Sequence, residues 1–137
     1  MIFVDTDVVS EALRKLPHEG VMAWLLRYDI ELAMPTVAIA EISYGIHKLP
    51  VERRSERLVQ GFAEWRRRFS DRTFGLTEEA ALTYGEIMGS ATRQGRSMSP
   101  QDGMIAAIAR VNGGRLATRN IKDFATTDLR LTSPWDF

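Results

Sequence analysis

Residues 1–10 read MIFVDTDVVS, and in this stretch two aspartates come directly after an apolar run. The Ile-Phe-Val run predicts a buried strand, and Asp5 and Asp7 follow it. A carboxylate taken out of water is costly unless it is paired or binds a metal ion. The end of the first predicted strand is therefore a candidate functional position.

Three further segments are typical of strands, and helical patterns separate them. They are IELAMP at 30–35, RLAT at 115–118 and LRLT at 129–132, and a short strand is also expected near 73–76. No hairpin-type turn joins these segments, so the chain reaches each new strand through a helix. The sequence therefore predicts an α/β domain with a largely parallel sheet. Because it contains no repeat or linker, we expect a single domain over 1–137.

The composition excludes several kinds of site. The chain has no cysteine, which rules out disulfides, cysteine-bound zinc and thiol catalysis. Two histidines are too few for a histidine-based metal site, so catalysis must rest mainly on carboxylates. Basic and acidic residues number 18 each, so contact with nucleic acid needs a local basic patch or a bound cation.

The chain shows neither a signal-peptide pattern nor an apolar run long enough to span a membrane. Its apolar and charged fractions, 45% and 26%, are ordinary for a globular domain. Together with the lack of cysteine, these features predict a cytoplasmic protein without a membrane partner.

Four acidic residues from distant parts of the chain are expected at one edge of the sheet. Asp5 follows the first strand, Glu41 lies in the helix after IELAMP, and Asp123 follows RLAT. Asp102 falls in the first turn of a helix for which Ser99 is a natural N-cap. Ligand sites in open parallel sheets lie outside the carboxyl ends of the strands, so we expect these acids to converge.

Three of these acids also have a simple structural interpretation. Asp102 can stabilise a helix N-terminus, Glu41 can be a half-buried surface residue, and Asp123 can cap a turn. Asp5 is the hardest of the four to explain in this way, because it follows a wholly apolar strand. One shared site accounts for all four acids together.

A shared site of carboxylates indicates a hard metal ion. Clustered carboxylates repel one another and hold protons unless a cation neutralises them. Oxygen ligands suit Mg²⁺ and Mn²⁺, which can activate water and shield a phosphodiester as charge develops. Such an ion would also supply the positive charge that the neutral chain lacks.

Four motifs follow one another along the chain: VDTDVVSEALR at 4–14, AEISYG at 40–45, SPQDGMIAAIA at 99–109 and LATRNIKDF at 116–124. In order and spacing they resemble the motifs of the PIN-domain nucleases. The most similar group is the VapC-like toxins of bacterial toxin–antitoxin pairs, including the FitB-like proteins. This resemblance implies a single PIN domain over 1–137. Its fold would be a three-layer α/β/α domain in which helices flank a mostly parallel sheet of about four to five strands.

The resemblance also implies a site and an activity. Asp5, Glu41, Asp102 and Asp123 would form the acidic catalytic and metal-binding cluster of an Mg²⁺- or Mn²⁺-dependent endoribonuclease that cuts single-stranded or looped RNA. The neighbouring polar residues Thr6, Thr118 and Asn120 would orient the carboxylates or water. Neither the RNA that is cut nor the number of metal ions follows from the sequence.

Asp7 departs from the family pattern, because many members have asparagine at this position. The extra carboxylate is either an additional ligand or the N-cap of the helix VVSEALRKL at 8–16. We interpret it as the cap, since a side-chain acceptor directly before a helix is stabilising.

Partners are implied by the resemblance as well: a protein antitoxin that blocks the acidic site, an RNA substrate, and a second copy of the chain in a homodimer. The sequence offers three candidate surfaces. One is the apolar stripe Leu58, Phe62, Trp65 and Phe69, and another is the pair Gly85 and Gly89. Both patterns are equally typical of core packing. The third is a basic face, interrupted by Glu56 and Glu64, that could steer RNA and comprises Arg53, Arg54, Arg57, Arg67 and Arg68.

Two other functions fit parts of the sequence. A strand ending in Asp-x-Asp resembles the haloacid-dehalogenase phosphohydrolases, in which Asp5 would be the nucleophile and Asp7 the acid/base. The chain lacks their downstream lysine and double-acid motif. A non-catalytic PIN-like binding module is the other alternative, and the presence of all four acids argues against it.

Overall fold

In the computed structural model, which describes residues 1–137, five parallel strands form one sheet in the order β3-β2-β1-β4-β5. The strands are β1 (Ile2–Val4), β2 (Leu32–Pro35), β3 (Thr73–Phe74), β4 (Arg115–Ala117) and β5 (Leu131–Thr132). The central strand β1 pairs with β2 on one side and with β4 on the other. The predicted α/β class and the number of strands are confirmed, and every strand pairing is parallel.

Six α-helices connect and cover the strands. They are α1 (Thr6–Ala12), α2 (Glu19–Arg27), α3 (Thr36–His47), α4 (Glu56–Arg68), α5 (Glu78–Arg93) and α6 (Pro100–Val111). The side chains of β1 alternate between the two faces of the sheet. Ile2 and Val4 join a core with residues of α1 to α4, whereas Phe3 joins a second core with residues of α5 and α6. The domain therefore has the three-layer α/β/α architecture implied by the sequence resemblance.

The junction between β1 and α1 is shorter than the sequence suggested. The Asp5 backbone N–H still donates to the Ala117 carbonyl at 2.9 Å, as part of the sheet, and α1 begins at the next residue, Thr6. Asp5 is thus the N-cap of α1, and its Oδ1 accepts from the Thr6 N–H at 2.7 Å. The interpretation of Asp7 as the helix cap is wrong, because Asp7 is already in the first turn.

The apolar stripe of α4 is mainly a packing surface. Phe62 and Phe69 are buried in the core, and Leu58 and Trp65 are partly buried against it. The helix begins at Glu56, where the Ser55 hydroxyl accepts from the Leu58 N–H.

The predicted glycine pair lies on α5, where Gly85 is exposed with open space around its Cα. No helix of the chain is both long and apolar enough to cross a membrane.

Candidate active site

Asp5 is the most buried of the candidate acids, with 6% of its surface exposed. Both of its carboxylate oxygens accept hydrogen bonds. Oδ1 accepts from the Thr6 N–H at 2.7 Å, and Oδ2 accepts from the hydroxyl of buried Thr118 at 2.7 Å. The Thr118 hydroxyl in turn accepts from the Asn120 N–H at 3.1 Å. These contacts fix the carboxylate at the carboxyl ends of β1 and β4.

Glu41 reaches the same place from the neighbouring strand. It lies on α3, which begins directly after β2, and its Oε1 accepts from the Thr6 hydroxyl at 2.6 Å. Thr6 therefore contacts two of the candidate acids at once, Asp5 through its backbone and Glu41 through its side chain. Thr6 thus links two of the acids that the family resemblance assigns to the site.

Asp102 is placed by the tight packing at the start of α6. Ser99 is the N-cap as predicted, and its hydroxyl accepts from the Asp102 N–H at 3.1 Å. The next residue, Gly103, lies so close to α5 that an added Cβ would be 2.5 Å from the Met88 sulfur and 2.9 Å from the Tyr84 ring. The absence of a side chain at Gly103 lets α6 approach α5, and this approach sets the position of Asp102.

A cleft of about 470 Å³ brings these acids together. Three predicted site residues, Asp5, Glu41 and Asp102, line it, as does Thr6. Two further carboxylates, Asp7 and Glu11, also face the cleft. The other charged residues of its lining are two arginines, so the cleft is strongly acidic when its carboxylates are ionised.

Asp7 is the acid whose position sequence reasoning misjudged. Its Oδ2 accepts from the Arg119 N–H at 3.2 Å and from the Asn120 side-chain amide at 3.3 Å. Its Oδ1 is buried and has no hydrogen-bond partner. A buried carboxylate oxygen without a donor is costly, and a cation would satisfy it.

Asp123 stands apart from the other predicted acids. It is exposed in the 3₁₀ turn after β4 and lines a neighbouring cleft rather than the acidic one. Its negative charge nevertheless contributes to raising the pKa values of Asp5 and Asp102. As the side chains stand, no three acidic or histidine residues are close enough together to hold one metal ion.

The carboxylates of the cleft hold protons more strongly than usual. Burial and the negative charge of Asp5 raise the pKa of Asp7 to about 7 and that of Asp102 to about 6. Burial also raises the pKa of Asp5, with smaller contributions from Glu41 and Asp123. A cluster whose negative charges destabilise one another is the electrostatic environment that a divalent cation would stabilise. The donor set, all oxygen, fits Mg²⁺ or Mn²⁺.

One wall of the cleft carries an ion pair that the sequence analysis did not anticipate. Glu11, 4% exposed, accepts from the His18 N–H at 3.1 Å and lies 3.2 Å from the Arg14 guanidinium. Burial opposes ionisation of Glu11, but the His18 N–H and Arg14 together lower its pKa. The sequence alone did not place Glu11 on the cleft side of α1, because that placement depends on the helix beginning at Thr6.

Comparison with known proteins identifies the family. The PIN domain family matches residues 2–128. This chain is a PIN domain. The haloacid-dehalogenase interpretation of the Asp-x-Asp motif is thereby replaced, and the family inferred from the sequence motifs is confirmed.

Two curated relatives align with this PIN domain over almost its whole length. Toxin FitB of Neisseria gonorrhoeae is 32% identical over 140 residues, which cover 98% of this chain and 99% of FitB. The VapC ribonuclease Y4jK of Sinorhizobium fredii is 29% identical over 140 residues, with 99% of both chains covered. Within the PIN domain family, the chain therefore groups with the VapC-like proteins that include FitB.

The fold agrees with that of a solved relative. The crystal structure of FitAcB from Neisseria gonorrhoeae superposes with a TM-score of 0.86 and 29% sequence identity, covering 100% of both chains. The five-stranded sheet and the helices on its two faces thus have the arrangement found in a solved VapC-like PIN domain.

Proposed function

We propose that this protein is a divalent-metal-dependent endoribonuclease and the toxin of a toxin–antitoxin pair. The observation that carries the proposal is the group of carboxylates at the carboxyl edge of the sheet: three of the four predicted acids share one cleft, where burial and mutual repulsion raise the pKa of Asp102. A relative aligned over 99% of the chain is named a VapC ribonuclease, and another is named a toxin. The acids we assign to the catalytic metal site are Asp5, Glu41, Asp102 and Asp123.

Mg²⁺ or Mn²⁺ bound by these acids would provide a Lewis acid and an activated water for phosphodiester hydrolysis. The surrounding residues keep the ligands in place. Thr118 and the Thr6 N–H hold the two oxygens of Asp5, and the Thr6 hydroxyl orients Glu41. Asn120 supports both Thr118 and Asp7. Asp7, with its unpaired Oδ1, adds a further carboxylate to the site.

The geometry of Asp5 disfavours a covalent mechanism. A nucleophilic carboxylate needs an oxygen that is free to reach phosphorus. Both oxygens of Asp5 accept hydrogen bonds at 2.7 Å, and the residue is buried. Asp5 is better suited to holding a cation than to attacking a substrate.

The direct test is cleavage of RNA by the purified protein, freed of any bound partner. We expect cut RNA in the presence of Mg²⁺ or Mn²⁺ and intact RNA in EDTA, with no covalent enzyme species in either case. Cleavage that persists in EDTA, or a trapped aspartyl-phosphate, would overturn the proposal. Intact RNA under all conditions would instead favour the non-catalytic binding module.

A protein antitoxin is the proposed partner, and an apolar groove of about 690 Å³ between α1, α2 and α4 is the proposed contact surface. Leu26 lines it with 78% exposure, and Met22 and Trp65 line it as well. The groove and the acidic cleft share no lining residue, but α1 contributes to both, so a partner held in the groove has a short path to the cleft.

The partner proposal is tested by co-expression with the neighbouring small reading frame. We expect its product to co-purify with the protein and to suppress the growth arrest that the protein causes alone. Leu26→Asp should abolish co-purification without reducing RNA cleavage, while the exposed Leu82→Asp on α5 serves as the control. Full retention of the partner by the Leu26 variant would exclude this groove.

A further inference from the structure

Arg119 carries the one positive charge of the acidic cleft that is not in an ion pair. The other arginine of the cleft, Arg14, is paired with Glu11 at 3.2 Å. Arg119 has no carboxylate within 4.0 Å of its guanidinium, although five carboxylates line the same cleft. A cation that lines a strongly acidic cleft without joining an ion pair needs another contact to hold its side chain in place.

Trp135 provides that contact. The guanidinium carbon of Arg119 lies 5.1 Å from the centre of the Trp135 ring, within the range of a cation–π interaction. Trp135 itself is half-buried and packs against the core, so it is a fixed support. At the backbone, the Arg119 N–H donates to Asp7. The backbone of Arg119 is thus held by Asp7 and its guanidinium by Trp135, and the residue is exposed at the rim of the cleft.

The rim also belongs to a second cleft, of about 480 Å³. The two clefts share Arg119, Asn120 and Trp135. The second cleft is lined by Lys122 and by Asp123, the fourth acid of the proposed metal site. Asp136 lines it too, so its charges are balanced rather than basic overall. The proposed metal site therefore lies across the junction of the two clefts, and Arg119 stands at that junction.

We propose that a single strand of RNA passes from the acidic cleft into the second cleft, and that Arg119, supported by Trp135, binds a backbone phosphate next to the one that is cut. The proposal rests on the ribonuclease function above. A planar guanidinium matches the paired oxygens of a phosphate and is weakly hydrated. The carboxylates of the cleft repel RNA, so an unpaired cation at the junction is the local attraction that a chain of zero net charge requires.

The test measures RNA binding separately from RNA cleavage. A fluorescein-labelled single-stranded RNA is titrated with Asp102→Asn protein in Mg²⁺ buffer over a series of salt concentrations. The titration is then repeated with a protein that carries Arg119→Gln in addition to Asp102→Asn. We expect Kd to rise about tenfold or more, the effect of one lost charge-assisted contact. The slope of log Kd against log salt should fall by about 0.7, which corresponds to one phosphate.

Two further variants make the result specific. Arg119→Lys keeps the charge, so it should keep the salt slope while losing part of the affinity. Arg130→Gln removes an exposed charge next to β5 at the opposite, amino end of the sheet and should bind RNA like the parent. The Arg119 backbone N–H, and hence its bond to Asp7, is retained in every variant.

Unchanged affinity and salt slope in Arg119→Gln, or an equal loss in Arg130→Gln, would overturn the inference. Cleavage by the unsubstituted protein is scored independently. If that protein fails to cut RNA while Arg119→Gln still loses binding, the nuclease proposal fails and the RNA contact stands. Thermal unfolding of each variant confirms that it is folded under the binding conditions.

Discussion

The Thr118 hydroxyl donates to Asp5 Oδ2 at 2.7 Å, and this bond joins the ends of β4 and β1 inside the protein. A buried carboxylate that must bind a cation needs such a donor, because the donor fixes which lone pairs remain free for the ion. The two partners are 113 residues apart in the sequence. They meet because β1 and β4 are neighbours in the sheet.

Thr118→Val should reduce RNA cleavage and metal affinity by about 10- to 100-fold, the usual cost of losing an orienting contact to a metal ligand. The change should also lower the free energy of unfolding by about 1 kcal/mol, since one buried hydrogen bond is lost. Cleavage rates and Mn²⁺ titrations measure the first effect, and urea unfolding measures the second.

Thr127→Val is the matched control for this change. Thr127 is equally buried, but its hydroxyl donates to the Phe124 carbonyl at 2.7 Å and not to a candidate ligand. A similar loss of stability with unchanged cleavage is the expected result. Equal losses of cleavage in the two variants would show that Thr118 acts through stability alone.

Gly103→Ala should displace the start of α6 and with it Asp102. A Cβ at this position would overlap the Met88 sulfur at 2.5 Å and the Tyr84 ring at 2.9 Å. We expect a destabilisation of about 1–3 kcal/mol, typical of overpacking, together with weaker metal binding. Gly85→Ala, on an exposed helical site with open space, should instead stabilise the protein by about 0.5–1 kcal/mol and leave cleavage unchanged.

Stability of the metal-free protein should decrease as the pH rises from mildly acidic to neutral. The pKa of Asp7 is raised from its ordinary 3.8 to about 7 and that of Asp102 to about 6, so the folded state binds more protons than the unfolded chain between these values. Above pH 7 both carboxylates are ionised and no counter-charge offsets them, so their contribution to the free energy of unfolding is smallest there. Urea unfolding in EDTA at a series of pH values measures this trend.

Two additions test the cause of the pH trend. Asp7→Asn removes the carboxylate that Arg119 and Asn120 contact, so it should flatten the decline in stability towards neutral pH. Mg²⁺ should restore stability at neutral pH, because the ionised carboxylates then have a counter-charge. If stability in EDTA instead rises between mildly acidic and neutral pH, the raised pKa values of Asp7 and Asp102 are contradicted.

The sequence was sufficient to predict the parts of the fold that depend on local patterns. The apolar run before Asp5, the alternation of strands and helices, and the Ser99 cap before Asp102 each depend on adjacent residues, and the structure agrees with them. The expectation that four acids gather at one edge of the sheet came from the topology of parallel strands. Three of them line the acidic cleft, whereas Asp123 lines the neighbouring one.

The details of the site depended on contacts that local patterns do not encode. The role of Asp7 changed because α1 starts at Thr6, directly after the last residue bonded to β4 and two residues earlier than the helical pattern suggests. The pairing of Arg119 with Trp135 arises from the final 3₁₀ turn, Pro134–Asp136, which packs against α2 and brings the end of the chain to the cleft. Neither residue forms part of a periodic pattern.

The central claim is that the acids of this PIN domain form one metal-dependent site for RNA cleavage. It is tested most directly by measuring Mn²⁺ binding and RNA cleavage in the same preparations of Asp102→Asn and Glu79→Gln proteins. Both residues lie in the first turn of a helix, but Glu79 is exposed on α5 outside the acidic cleft. We expect Asp102→Asn to lose both Mn²⁺ binding and cleavage while it stays folded, and Glu79→Gln to retain both. Cleavage and Mn²⁺ binding by Asp102→Asn at the level of the unsubstituted protein would contradict the claim.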